Sequence, residues 1–104
     1  MKIHHNKLVR DMIPKIIEEE GKKCVYRKLE QMDFNNALVA KLSEEGEEFL
    51  DAVNLEELAD ILEVVYALIE ANNFSHEDVE RIRLMKQEKR GAFSQGIFLE
   101  YVIE

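Results

Sequence analysis

Two neighbouring segments of helical periodicity carry acids spaced one turn apart, and this pairing constrains the fold more than any other feature. Glu44-Glu45-Gly46-Glu47-Glu48 reads E-E-x-x-E, and Glu57-Leu58-Ala59-Asp60 reads E-x-x-D. Residues at i and i+3 leave a helix on one side, stacked a turn apart. Two such pairs on facing helices would converge four carboxylates on one point. Like charges at that range repel unless a cation lies between them. Hard oxygen donors without Cys or His suit Mg²⁺, with Mn²⁺ as a substitute. No Lys or Arg occurs between Lys41 and Arg81, whereas a solvated helix ordinarily mixes signs through Glu–Lys pairs.

The rest of the composition is unremarkable for a folded chain. At 104 residues it has the length of one domain, 1–104, with a modest core. A formal charge of −8 disfavours nucleic-acid polymers and anionic membranes as partners. The single Cys24 has no internal disulfide partner, which suits a cytoplasmic protein, and it sits where a small core residue is expected. Met1 to Arg10 is too polar for a signal peptide, and no apolar run is long enough to span a bilayer.

The pattern predicts a mainly α fold of four helices with a small two-stranded β element. Asp11 to Glu20 is the first helix, with Pro14 in its opening turn and Gly21 as its stop. Lys23 to Leu29 reads as a short strand. Asp33 is the expected cap of a long helix to about Ala52, with Leu38, Leu42, Phe49 and Val53 as its core stripe. Asn54 caps the next helix, Leu55 to about Ala71. Leu58, Ile61, Leu62, Val65 and Ile69 form its main stripe, broadened by Val64 and Leu68. Ser75-His76-Glu77-Asp78 has the pattern of a capping box opening a fourth helix that Gly91 ends. Residues 96–103 alternate as a second strand, whose expected partner is 23–29.

Among the acids, Glu45 falls where the stripe Leu38, Leu42, Phe49, Ala52 calls for an apolar residue. A carboxylate facing a helix interface is costly unless paired or bound to metal. Asp60 is a poor interior helix residue amid Leu58, Ala59, Ile61 and Leu62. Glu57 has two readings, as a ligand or as a capping-box acid bonded back to Asn54. Glu47 and Asp51 read as solvated, and Glu56, Glu63 and Glu70 as a water-facing row. Basic residues cluster at the two ends: Lys7, Arg10 and Lys15 early, and Arg81, Arg83, Lys86, Lys89 and Arg90 late. Cations flanking a metal-binding acidic centre suit a polyphosphate substrate. For Lys86, Lys89 and Arg90 a helix C-terminus is an equal explanation. There is no Glu-x-x-His pattern, glycine-rich phosphate loop or Ser or Cys nucleophile motif.

These acids resemble the signature of the all-α nucleoside triphosphate pyrophosphatases, the MazG-like and phosphoribosyl-ATP pyrophosphohydrolase-like superfamily. Asn6-Lys7-Leu8-Val9-Arg10-Asp11 with Ile13-Pro14, the run Glu57 to Val64, and Lys89-Arg90-Gly91-Ala92-Phe93 are similar to its small single-domain subgroup. The resemblance covers nearly the whole chain. It implies hydrolysis of a nucleotide to a monophosphate and pyrophosphate, with Mg²⁺ activating water for attack on the α-phosphorus. By position it makes Glu45, Glu48, Glu57 and Asp60 metal ligands and Glu44 and Glu45 the catalytic acids, Glu44 orienting the water. It makes Lys7, Arg10, Lys86, Lys89 and Arg90 phosphate-binding residues, and it implies a homo-oligomer, a dimer or tetramer. The spacer from Phe49 to Glu56 is shorter than in many members, which demands a tight helix turn. Two rivals stay open: phosphoribosyl-ATP as the substrate, or a non-catalytic helical interaction protein that kept the scaffold.

Overall fold

In the computed structural model, which describes residues 1–104, four helices follow one another: α1 Ile13–Glu19, α2 Gln31–Asp51, α3 Leu55–Ala71 and α4 His76–Arg90. The mainly α expectation holds. The β element does not: residues 23–29 and 96–103 have no regular secondary structure, and the chain contains no sheet. Their composition favours strands, but a strand exists only where a ladder partner satisfies its amides. The chain divides into two compact units, Met1–Phe74 and Ser75–Glu104.

In the first unit the helix ends follow local chemistry. Gly21 takes φ +83° after α1, and the amides of Gly21 and Lys22 donate to the carbonyls of Glu18 and Ile17 at 3.0 and 3.3 Å. The end of α3 repeats this with Asn73 at φ +58°, as Asn73 donates to Glu70 at 3.1 Å and Phe74 to Ile69 at 3.0 Å. Both are left-handed caps that satisfy otherwise orphaned carbonyls. Asn54 Oδ1 accepts from the Glu57 amide at 2.9 Å and so starts α3. Asp33 is not the cap of α2: the helix begins two residues earlier, Asp33 sits in its first turn, and the capping residue Glu30 makes no side-chain cap bond. An acid in a first turn still interacts favourably with the helix dipole.

The packing of the first unit centres on α2 against α3. The buried apolar residues are Leu38 from α2 and Val64 and Ile69 from α3, and Glu45 is buried beside them. The stripe of α3 is turned relative to expectation. Val64 lies at its centre, while Leu58 and Leu62 are 51% and 49% exposed. Val53, expected in the α2 stripe, is 75% exposed, because α2 ends at Asp51. One neighbouring helix covers only part of an apolar face as wide as that of α3.

The second unit consists of α4 and the tail after it. Ser75 Oγ accepts from the Asp78 amide at 2.9 Å, the cap that the sequence predicts. Arg83 pairs with Glu80, its Nε donating to Oε2 at 3.0 Å, and Arg81 lies 3.4 Å from Asp78. No residue of α4 is buried.

Candidate metal centre

The short link between α2 and α3 folds the two acidic motifs onto each other. Glu44, Glu45 and Glu48 form one group whose carboxylate oxygens lie within 4.8 Å of one another, and Glu45, Glu57 and Asp60 form a second. Glu45 belongs to both groups and therefore joins the two helices. The shortness of the spacer does not prevent Glu57 from reaching the cluster.

Glu45 is 6% exposed, and its Oε2 is buried without a hydrogen-bond partner. Glu57 Oε2 is also buried and unpartnered. The Glu57 amide, not this oxygen, makes the capping contact with Asn54. A buried carboxylate oxygen left without a donor costs on the order of 1–3 kcal/mol, more when charged. Two of them within one acidic cluster fit a site for a hard cation, and the all-carboxylate donor set suits Mg²⁺ or Mn²⁺.

Three cations already contact the cluster. Lys41, 17% exposed at its side chain, places Nζ 3.2 Å from Glu45 Oε1 and 3.3 Å from Glu44 Oε1. Lys7 Nζ lies 3.4 Å from the same Glu44 oxygen. Arg10 donates to Asp60 Oδ1 at 2.7 Å and lies 3.9 Å from Glu63. Five carboxylates thus face three cations, leaving an excess of negative charge.

The protonation equilibria reflect these contacts. Burial alone would lower the Lys41 ammonium, but the hydrogen bonds and charges of Glu45 and Glu44 outweigh it and hold its pKa above the usual value. Burial would raise Glu44, yet Lys41 and Lys7 hold it below the usual carboxylate range. Glu48 is raised, first by its hydrogen bond with Glu45 and then by that neighbour's charge. Two acids that meet without a cation between them favour the protonated form.

An open cavity of about 720 Å³ adjoins the cluster and shares Glu45 and Asp60 with it. Its apolar walls include Ile13 and Ile16 of α1, Phe34 and Leu38 of α2, and Val64 and Ala67 of α3. The N-terminal segment carrying Arg10 also lines it.

Of the residues singled out in the sequence, the structure brings together Glu44, Glu45, Glu48, Glu57, Asp60, Lys7 and Arg10. Lys86, Lys89 and Arg90 belong to α4 in the second unit; all are exposed, and Lys89 and Arg90 occupy its last turn, where the helix dipole favours cations. Sequence reasoning missed Lys41, although its i+3 and i+4 spacing to Glu44 and Glu45 was the available signal. Glu63, read as part of a water-facing row, is exposed, and it also borders the cavity 3.9 Å from Arg10. The chain matches no known family model, no curated protein and no solved structure. No helix is long and apolar enough to cross a membrane.

Proposed function

We propose that this protein is a divalent-metal-dependent nucleotide pyrophosphohydrolase, releasing pyrophosphate and a monophosphate. The observation that carries the reading is Glu45, a buried carboxylate with an orphaned oxygen shared by two acidic triads. Glu45, Glu48, Glu57 and Asp60 hold Mg²⁺, or Mn²⁺ in its place. When bound, the ion stabilises negative charge on the phosphoryl oxygens. Glu44, kept ionised by Lys41 and Lys7, accepts a hydrogen bond from the attacking water and orients it toward the α-phosphorus. Arg10 and Lys7 reach the site from the N-terminal segment, and Arg10's fork matches a phosphate as well as a carboxylate. For Lys86, Lys89 and Arg90 on α4, phosphate binding rests on motif resemblance alone. The apolar cavity beside Asp60 takes the nucleobase, with Phe34 as one wall. Motif resemblance supplies the nucleotide class, and the single Cys24 the reducing, cytoplasmic setting. The exposed α3 stripe Leu55, Leu58, Leu62, Tyr66 supports a homo-oligomer.

The test is hydrolysis of a broad nucleotide panel, phosphoribosyl-ATP included, with Mg²⁺ and product identification. Pyrophosphate with a monophosphate is expected from at least one substrate, and Glu45→Ala or Asp60→Ala should abolish its release while helicity is kept. Orthophosphate alone, or full activity in either variant, contradicts the proposal. The ion pairs of Lys7, Arg10 and Lys41 favour a second reading, a non-catalytic helical scaffold that neutralises its own acids. Calorimetric titration with Mn²⁺ separates the two, because the scaffold binds no metal specifically.

A further inference from the structure

The segments 23–29 and 96–103 have the composition of strands, yet neither forms one, and most of their apolar side chains stand in solvent, Cys24 and Leu29 being half-buried. Val25 is 102% exposed, Phe98 88% and Ile103 85%. Strand-forming segments with unpaired amides and exposed apolar side chains are templates for another chain. We propose that residues 23–29 of one copy of this protein pair, antiparallel, with residues 98–104 of a second copy, and that the exchange is reciprocal. The occupant follows from charge. The first segment carries Lys23, Arg27 and Lys28 and no acid, while the second carries Glu100 and Glu104 and no base. Each segment therefore repels its own duplicate and attracts the other.

The register follows from the same residues. Setting Lys23 opposite Glu104 sets Arg27 opposite Glu100, so both acids meet a base. It also sets Val25 on Val102, Tyr26 on Tyr101 and Leu29 on Phe98, matched apolar pairs of the kind that stabilise a ladder. A slip of one residue puts Glu104 opposite Cys24 and turns each apolar set to the other face. A parallel pairing that joins Lys23 to Glu100 would set Phe98 and Leu99 against Gly21 and Lys22, whose amides the end of α1 already uses. Two copies related by a two-fold axis make the contact twice and close the assembly. The pairing is independent of any metal or nucleotide at the acidic cluster.

Sedimentation of the full chain tests it. The wild type is expected to be a dimer or an even multiple. Glu100→Lys, which puts like charges opposite each other, dissociates the strand-paired copies, and Arg27→Glu combined with Glu100→Lys restores them. A second measurement does not depend on how those variants fold. In the chosen register Ile103→Cys brings a thiol opposite native Cys24, and directly opposed residues on antiparallel strands lie at disulfide range, Cα atoms about 4.5–5.5 Å apart. Diamide oxidation should convert this variant to a covalent dimer on a non-reducing denaturing gel, and Leu99→Cys, four residues away, should not cross-link above wild type. A monomeric wild type overturns the proposal. So does a disulfide formed within one chain, a failure of Ile103→Cys to cross-link, or an equal yield from Leu99→Cys. A dimer that Glu100→Lys leaves intact overturns it too, and assigns association to another face.

Discussion

At the scale of single residues, the acids were legible and their counter-charge was not. Glu45 stood out because a helical stripe exposes any polar residue that interrupts it, and the structure buries it. Lys41 escaped notice because it borders the acidic run, and sequence does not show which way a long flexible side chain turns. Its position gives a prediction. Lys41 is the least exposed cation at the cluster and contacts Glu45 and Glu44 together. Lys41→Met keeps the length of the aliphatic stem and removes the charge. Without metal, the variant should lose roughly 1–3 kcal/mol of stability, the range for stranding a buried polar group. Divalent metal should then stabilise the variant more than it stabilises the wild type, since the cluster has lost its internal cation. Urea denaturation with and without Mg²⁺ measures both effects. An unchanged midpoint in chelator would show that Lys41 does not neutralise the cluster.

At the scale of elements, caps and stops were readable because they depend on one or two residues. Gly21, Asn54, Ser75 and Gly91 end or start helices where their chemistry places them. Asp33 failed as a cap because the backbone enters the helix earlier, at Gln31, and a side chain caps only from the residue that flanks the helix. The strands failed for a different reason. A helix closes its own hydrogen bonds, whereas a strand needs a partner that alternation alone cannot locate. The Asn54 cap also fixes where Glu57 leaves α3, so its loss should act twice. Asn54→Ala is expected to cost about 1 kcal/mol, typical of a lost N-cap. It should also weaken Mn²⁺ binding by calorimetry, because the first turn that holds Glu57 frays. Asn54→Ser, which keeps a capping oxygen, should preserve both. Equal Mn²⁺ affinity in the Ala and Ser variants would separate the cap from the cluster.

For the molecule as a whole, the telling quantity is how little it buries. Leu38, Val64 and Ile69 are the buried apolar residues of a chain whose hydrophobic content is 46%. Exposed apolar residues lie on all four helices as well as in 23–29 and in the tail, and association is the usual means of covering such surface. None of this could be read from composition, which does not distinguish residues covered by their own chain from residues awaiting another. If folding and association are linked, the unfolding equilibrium contains protein concentration, and each tenfold dilution removes about 1.4 kcal/mol of apparent stability. For an assembly of two such chains, the thermal midpoint should fall by roughly 3–5 °C per tenfold dilution. Scans across two decades of concentration measure this directly. A midpoint independent of concentration would mean that the single chain folds unaided, with its stability coming from elsewhere than apolar contact between copies.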